Sequence, residues 1–365
     1  MARAGGLRIA AIALVCCALL TSACNRSAPP ESPAPARPDP AAAAPAAGPN
    51  DAATGSGHDV ERVRVSFRHI NLHVDDETIV EIRRLEGQLV SRTPGQPPTF
   101  DDEQSFTLEV RSAEIALGAG ALTHLVNRAL LSAGAPLTDV TISIAGDRMR
   151  QKGTLKKGVH VPFDVEATPG VTDDGRIRLH PTHVKAAGVP AGGIMKVFGI
   201  ELDDLVALKN THGVEIVDND VIVDPQRVLP KPTIRGRLTA VRLEQDRLVE
   251  VIGDASLKDT IPPAPGAVNY MAYRGGSLRF GKLTMSDADM QLIDADPSDP
   301  FDFYPDRYLR QLVAGYSKNT PTGGLRVQMP DYDQTAGTDL RPPGAPRPHP
   351  PARRPTANGT GSGGS

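Results

Sequence analysis

Five aspartates crowd the stretch IDADPSDPFDFYPD, residues 293 to 306: Asp294, Asp296, Asp299, Asp302 and Asp306, beside Phe301, Phe303 and Tyr304. Carboxylates at this density can pass protons as an acid/base pair, gather oxygen ligands around a cation, or shape turns and start helices. The glycine at the centre of an EF-hand loop is absent, and Pro297 and Pro300 stand among the aspartates as turn residues do. Pro305 suits a first helical turn, and Asp302 or Asp306 suits the N-terminal dipole of a helix over FYPDRYLRQLVAGYSK. Tyr308, Leu309, Leu312, Val313 and Tyr316 would form its inward stripe. The expectation for the aspartates is therefore structural.

A second set, His69, Asn71, His73 and Asp75, has metal-ligating types at the even spacing that puts them on one face of a strand. The wet face of a strand explains the same pattern. The apolar parity shifts from Val63, Val65 and Phe67 to Ile70, Leu72 and Val74, which predicts a bulge near His69 that would disturb the alignment. His180 and His183 in HPTH are three apart, where a strand sends them to opposite faces and Pro181 opposes a helix. There is no G-x-S-x-G, S-x-x-K, Walker loop, complete G-x-G-x-x-G or C-x-x-C. The expectation is a non-enzyme with no metal and no cofactor. A hydrolase or metal enzyme built from Asp299, Asp302 and distant strands is the reading such a scan would miss.

The elements that would position these residues have period two. In VHVPFDVEA, Val159, Val161, Phe163, Val165 and Ala167 share one face, and His160, Pro162, Asp164 and Glu166 the other. A strand wet on one side predicts an antiparallel sheet. VRVSF, FTLEV, DVTISI, RIRL and SLRF repeat the pattern, with turn signals at DDG, DND and EQD between them. Two segments have helical spacing instead. GALTHLVNRALLSAG carries the stripe Leu122, Leu125, Val126, Ala129 and Leu130, and GGIMKVFGIELDDLVALKN carries Ile194, Val197, Phe198, Leu202, Leu205 and Val206. Many strands, few helices and no βαβ alternation predict an α+β fold. A formal net charge of −3 with no basic stripe interleaved with aromatics gives no support for nucleic-acid binding.

The ends carry the address. MARAGGLRIAAIALVCCALLTSAC reads as a bacterial export signal: Arg3 and Arg8, an apolar run too short for a comfortable span, then small residues before Cys24. The order Leu20-Thr-Ser-Ala-Cys24 resembles a lipobox, with Thr21 where a branched apolar residue is usual, and simple secretion with cleavage near Ala23 is the alternative. Cys16 and Cys17 would leave with the signal. Cys24 would then be the only cysteine of the mature chain, which suits lipid attachment and excludes a disulfide framework. Asn25 after it favours the outer over the inner membrane. Residues 24–57 are a Pro/Ala-rich tether, able in extended form to reach about 100 Å at ~3.1 Å per residue. Residues 58–255 form a β-rich domain. The linker TIPPAPGA then introduces a smaller α/β module over 256–334 that holds all six tyrosines. Residues 335–365 form a Pro/Arg/Gly tail with Arg341, Arg347, Arg353 and Arg354, solvated or touching an anionic surface.

The block from Gly120 to Leu205 resembles the LmeA-like phospholipid-binding family, which in turn looks like the tubular lipid-binding proteins. The features that carry the resemblance are ordered: Leu122-Thr123 with Asn127 on a helix, strands closed by the turn Asp174-Gly175-Arg176, then Gly188-Val189-Pro190 leading to a second helix. The resemblance implies a long, strongly curved antiparallel sheet wrapped around two amphipathic helices, with an apolar furrow for acyl chains. Leu122, Leu125, Val126, Leu130, Val161, Phe163, Ile194, Val197 and Phe198 would line it. The same residues packed on one another as a closed core is the alternative.

These readings combine into an envelope lipoprotein that faces the periplasm, touches the membrane through its lipid anchor and binds a phospholipid or similar ligand. The rival is a scaffolding lipoprotein whose Tyr-rich module binds a protein or peptidoglycan partner.

Overall fold

The computed structural model describes residues 61–132, 137–157, 159–186, 189–190, 214–224 and 232–336. Cys24, the tether, the tail from residue 337 on, and the segment with Ile194, Val197 and Phe198 lie outside the described residues.

The chain opens with three long strands, β1 (Arg62–His73), β2 (Ile79–Ser91) and β3 (Phe106–Gly118), paired antiparallel. Val63, Val65 and Phe67 of β1 point into the core, and so does Ile70; the parity changes at His69, which has φ of 49° and drops out of the register with β2. On β2 a second irregularity falls between Glu86 and Gly87. A Cβ on Gly87 would lie 2.4 Å from the Glu109 carbonyl oxygen, so only glycine allows β3 this close.

From β3 the chain enters helix α1 (Ala119–Ser132) and then a second sheet. Its strands are β4 (Leu137–Ala145), β5 (Arg148–Lys157), β6 (Val159–Val171), β7 (Ile177–Ala186), the short β8 (Val189–Pro190), β9 (Val214–Val217) and β10 (Asp220–Val223). They are ordered β4-β5-β6-β7-β10-β9, with β8 beside β7. β6 keeps the predicted alternation: Phe163, Val165 and Ala167 are buried while His160 is exposed.

The chain then returns to the first sheet through β11 (Thr233–Arg235), β12 (Leu238–Glu244) and β13 (Arg247–Gly253). After these come β14 (Tyr270–Arg274), the ribbon β15 (Leu278–Phe280) and β16 (Leu283–Met285), β17 (Asp289–Asp294) and β18 (Phe301–Phe303). Helix α2 (Tyr308–Ala314), β19 (Tyr316–Asn319) and β20 (Leu325–Met329) complete it. The first sheet runs β12-β13-β3-β2-β1-β14-β17-β20-β19. Two strands, β11 and β18, attach off this path.

The protein is thus dominated by strands, with α1 and α2 as its helices among the described residues. Three features depart from the sequence expectation. The first sheet is mixed rather than antiparallel throughout: β18 pairs parallel with β1, β11 with β3, and β20 with β17. Antiparallel alternation says nothing about these short returns, whose partners lie far away in sequence. Next, β14 pairs directly with β1, so the Tyr-rich segment extends the first sheet and shares its core. Phe100 touches the rings of Tyr273, Phe280, Phe303 and Tyr308 at centroid distances from 4.6 to 6.3 Å, and this cluster is where the chain's aromatics collect. The stretch TIPPAPGA, for its part, is strapped to the sheet: the Ala264 N–H donates to Gln291 at 2.8 Å, Gln291 donates to the Pro262 carbonyl at 3.0 Å, and Ile261 is fully buried.

Candidate functional site

Helix α1 lies on the second sheet by its apolar stripe. Leu122, Leu125, Val126 and Leu130 are buried, and Phe163 of β6 is buried in the same cluster, with Val161 partly buried against it. Each such side chain contributes ~1.5–3 kcal/mol by leaving water. Of the predicted furrow residues, the structure brings these six to one contiguous apolar region.

The polar residues of the helix fix it there. Among the described residues β4 is the terminal strand of its sheet, so one edge of its backbone has no neighbouring strand there. Asn127 fills that edge at Val140, donating to its carbonyl at 2.6 Å and accepting from its N–H at 3.1 Å. Thr123 does the same one step along, accepting from the Ile142 N–H at 2.9 Å. On its opposite side α1 is tied to the β1–β2 turn by an Arg128–Asp75 ion pair at 2.5 Å.

The turn Asp174-Gly175-Arg176 has a comparable role. Gly175 has φ of 82°, and a Cβ there would lie 3.0 Å from Cγ of Arg237 and 3.2 Å from the Leu238 carbonyl oxygen. Arg237 donates to the Asp173 carbonyl at 2.6 Å. The β6–β7 hairpin tip therefore seats against the start of β12 and joins the two sheets. A hydrogen bond from Thr172 holds the Asp174 carboxyl below the usual carboxylate range.

The inner face of the first sheet continues the apolar region. Register places Ile70, Ile82, Ile115, Glu250 and Val241 side by side in one row across β1, β2, β3, β13 and β12. Glu250 is the one carboxyl in that row. Sequence reasoning missed it, because RLVEVIG has apolar residues at both parities and a glutamate there reads as the wet side.

Most of the aspartates of residues 293 to 306 have separate partners. Asp294 accepts from Asn269 at 3.0 Å and from the Asp296 N–H at 2.9 Å; Asp296 accepts from the Ser298 N–H and hydroxyl. Asp302 meets His73 Nε2 at 2.6 Å, and His73 stacks on Tyr304 with centroids 4.0 Å apart. Behind them Asp331 accepts from the Asp302 N–H at 2.8 Å, and burial, reinforced by Asp294, Asp302 and Asp299, pushes its carboxyl up to about 7. The helix-start reading of Asp302 and Asp306 is corrected: Asp302 lies in β18, and α2 begins at Tyr308 with no acidic residue in its first turn. Of the histidine-strand set, His69 is exposed, His73 goes to Asp302 and Asp75 goes to Arg128. Among the described residues no group of three or more His, Cys, Asp or Glu side chains is arranged to hold a metal ion.

The inward stripe expected here is kept only in part. Tyr308 is buried and Leu312 packs against the core, and Gln311 is buried between them, whereas Leu309, Val313 and Tyr316 are 56%, 52% and 56% exposed. A cleft of about 360 Å³ opens between the β15–β16 ribbon and β20, lined by Phe280, Leu283, Leu292, Leu312, Tyr316 and Val327.

No known family, curated protein or solved structure matches the chain. No helix of the described residues is long and apolar enough to cross a membrane.

Proposed function

We propose that this chain is a non-enzymatic envelope lipoprotein. It is lipidated at Cys24, held at a membrane, outer over inner, and carries a phospholipid or other acyl-chain ligand against the apolar inner face beneath α1. The observation that supports this reading is the single apolar cluster that runs from Leu122, Leu125, Val126 and Leu130 through Phe163 to the inner rows of the first sheet. Acyl chains need apolar contact without polar groups demanding partners, and Thr123 and Asn127, the polar residues of α1 nearest this face, already spend theirs on β4. The test is native mass spectrometry of protein purified gently from a bacterium, paired with uptake of a fluorescent phospholipid by delipidated protein. An adduct of phospholipid mass together with saturable uptake is expected. A bare peak with no uptake would end the reading.

A second reading is a scaffolding lipoprotein that binds a protein or peptidoglycan partner through its C-terminal part. The observation in its favour is the apolar cleft lined by Leu312 and the exposed Tyr316. Capture of a defined partner that is lost on Tyr316→Asp, with no lipid bound, would select it over the first.

A further inference from the structure

Two glutamates are buried in the first sheet, and their surroundings differ. Glu86 on β2 is 1% exposed and has three donors: Ser66 Oγ at 2.5 Å, and the N–H and hydroxyl of Thr260 at 3.0 and 2.7 Å. Glu250 on β13 is 9% exposed; no hydrogen bond or ion pair reaches its carboxyl from the described residues, and its oxygens keep a narrow contact with solvent. Its neighbours are apolar in every in-plane direction. Leu248 and Ile252 precede and follow it on the same face, Ile115 lies across on β3 and Val241 across on β12, all within or against the main core. A carboxyl set among apolar side chains with no protein partner is costly, and such a group calls for an explanation, a bound water or a ligand among them.

A structural purpose for this carboxyl is hard to find. The outer face of the same strands has its own charges fully engaged, with Arg83 and Arg242 both donating to Glu114 and Glu244. Strand pairing through β13 needs no side-chain charge, and a leucine would fill the row better. Ligand sites, by contrast, are apolar surfaces with a small number of polar groups that fix orientation.

We propose that Glu250 is the polar contact of the ligand site, accepting a hydrogen bond from a hydroxyl or ammonium group on an otherwise apolar ligand. The site then takes chain alcohols and amines in preference to the corresponding carboxylates. The proposal rests on the acyl-ligand reading above and adds the chemistry of the ligand's polar end. A carboxyl oxygen accepts from such a donor in either protonation state, whereas an anionic head would face a like charge or have to share a proton. Burial pushes the Glu250 carboxyl up to about 7, so an arriving ammonium group would draw the proton off and pair with the anion.

The test is displacement of an uncharged apolar dye from delipidated full-length protein by dodecylamine, dodecanol and dodecanoate, compared among wild type, Glu250→Gln and Glu250→Leu. Wild type is expected to bind dodecylamine at least about tenfold tighter than dodecanoate, the size of one charge-assisted hydrogen bond. In both variants the dye should still bind and the preference should fall to within about twofold. An equal preference in wild type and variants, with dye bound throughout, would overturn the role of Glu250 and leave the acyl site standing. Failure of dye and all three chains to bind wild type would instead remove the acyl-ligand reading itself. Circular dichroism checks that the variants fold. If neither does, the wild-type order decides, and a preference for dodecanoate or none at all overturns the proposal.

Discussion

The Asn127 side chain bonds both backbone groups of Val140, donating to the carbonyl at 2.6 Å and accepting from the N–H at 3.1 Å. One amide thus takes the place of a neighbouring strand along the free edge of β4. Asn127→Leu keeps the size but leaves both Val140 groups unpaired in a part-buried setting. A loss of about 2–3 kcal/mol is expected, measured as a shifted urea midpoint with unchanged slope. A loss below about 0.5 kcal/mol would mean that water replaces the amide at no cost.

Glu250 makes stability depend on pH in a definite direction. Folding raises its carboxyl from 4.5 to about 7, so the native state holds a proton that the unfolded chain has released. Stability from this group is therefore full below pH 4.5, falls as pH rises towards 7 and is level above. The span is on the order of 3 kcal/mol. Asp331, raised to about 7 as well, adds a loss of the same sign. Glu250→Gln should flatten about half of the combined slope in a pH series of unfolding midpoints.

The Arg83–Glu244 pair acts at the other end of the scale. Hydrogen bonds from Arg83 and Arg242 lower the Glu244 carboxyl from 4.5 to about 2, so their contribution is present above pH 4.5 and lost as pH falls through about 2. The two side chains are 33% and 35% exposed, and solvent screens them. A double-mutant cycle should give a coupling below about 1 kcal/mol that shrinks in molar salt.

At the junction of the two sheets, Gly175→Ala places a Cβ at 3.0 Å from Arg237 and in a backbone conformation with φ of 82°. A loss of about 1–2 kcal/mol is expected. Hydrogen exchange should quicken in β12 as well as in the β6–β7 hairpin. Faster exchange in the hairpin alone would show that its tip does not hold β12.

Leu309→Lys tests the outward turn of this residue. The side chain is 56% exposed, so stability should stay within about 0.5 kcal/mol of wild type. A severe loss would restore the inward stripe expected from the spacing.

The sequence was most legible where one periodicity met one environment. Phe163, Val165 and Ala167 gave β6 its buried face, Leu122, Leu125 and Val126 gave α1 its stripe, and the parity change located the irregularity at His69. It was least legible where both parities are apolar. Leu248 and Val249 are each buried, so alternation could not say that Glu250 faces inward. In α2 Tyr308 and Leu312 turn inward as the spacing predicts, but Leu309 and Val313, just as apolar, do not; the inward place beside them is taken by Gln311, which donates to the carbonyls of Asp302 and Pro330. Such long-range partners leave no periodic trace. The polar motif residues Thr123, Asn127 and Gly175 were visible as a pattern, and their work, closing an edge and seating a hairpin, required the neighbours to be known.

The place of β1 has a consequence for how the molecule is made. Its Arg64 pairs with Gln88 on one side and with Arg274 on the other, and its end takes β18 as a further partner. A chain that emerges from its N-terminus can form the β1–β2 hairpin at once, yet one flank of β1 stays bare until residues 270–274 arrive. Long-range pairing of this kind slows folding and lengthens the time for which a strand edge can meet another chain. The centre of the finished sheet therefore closes only after most of the chain has been made, and newly made chains are most open to aggregation, or to an escorting chaperone, along β1.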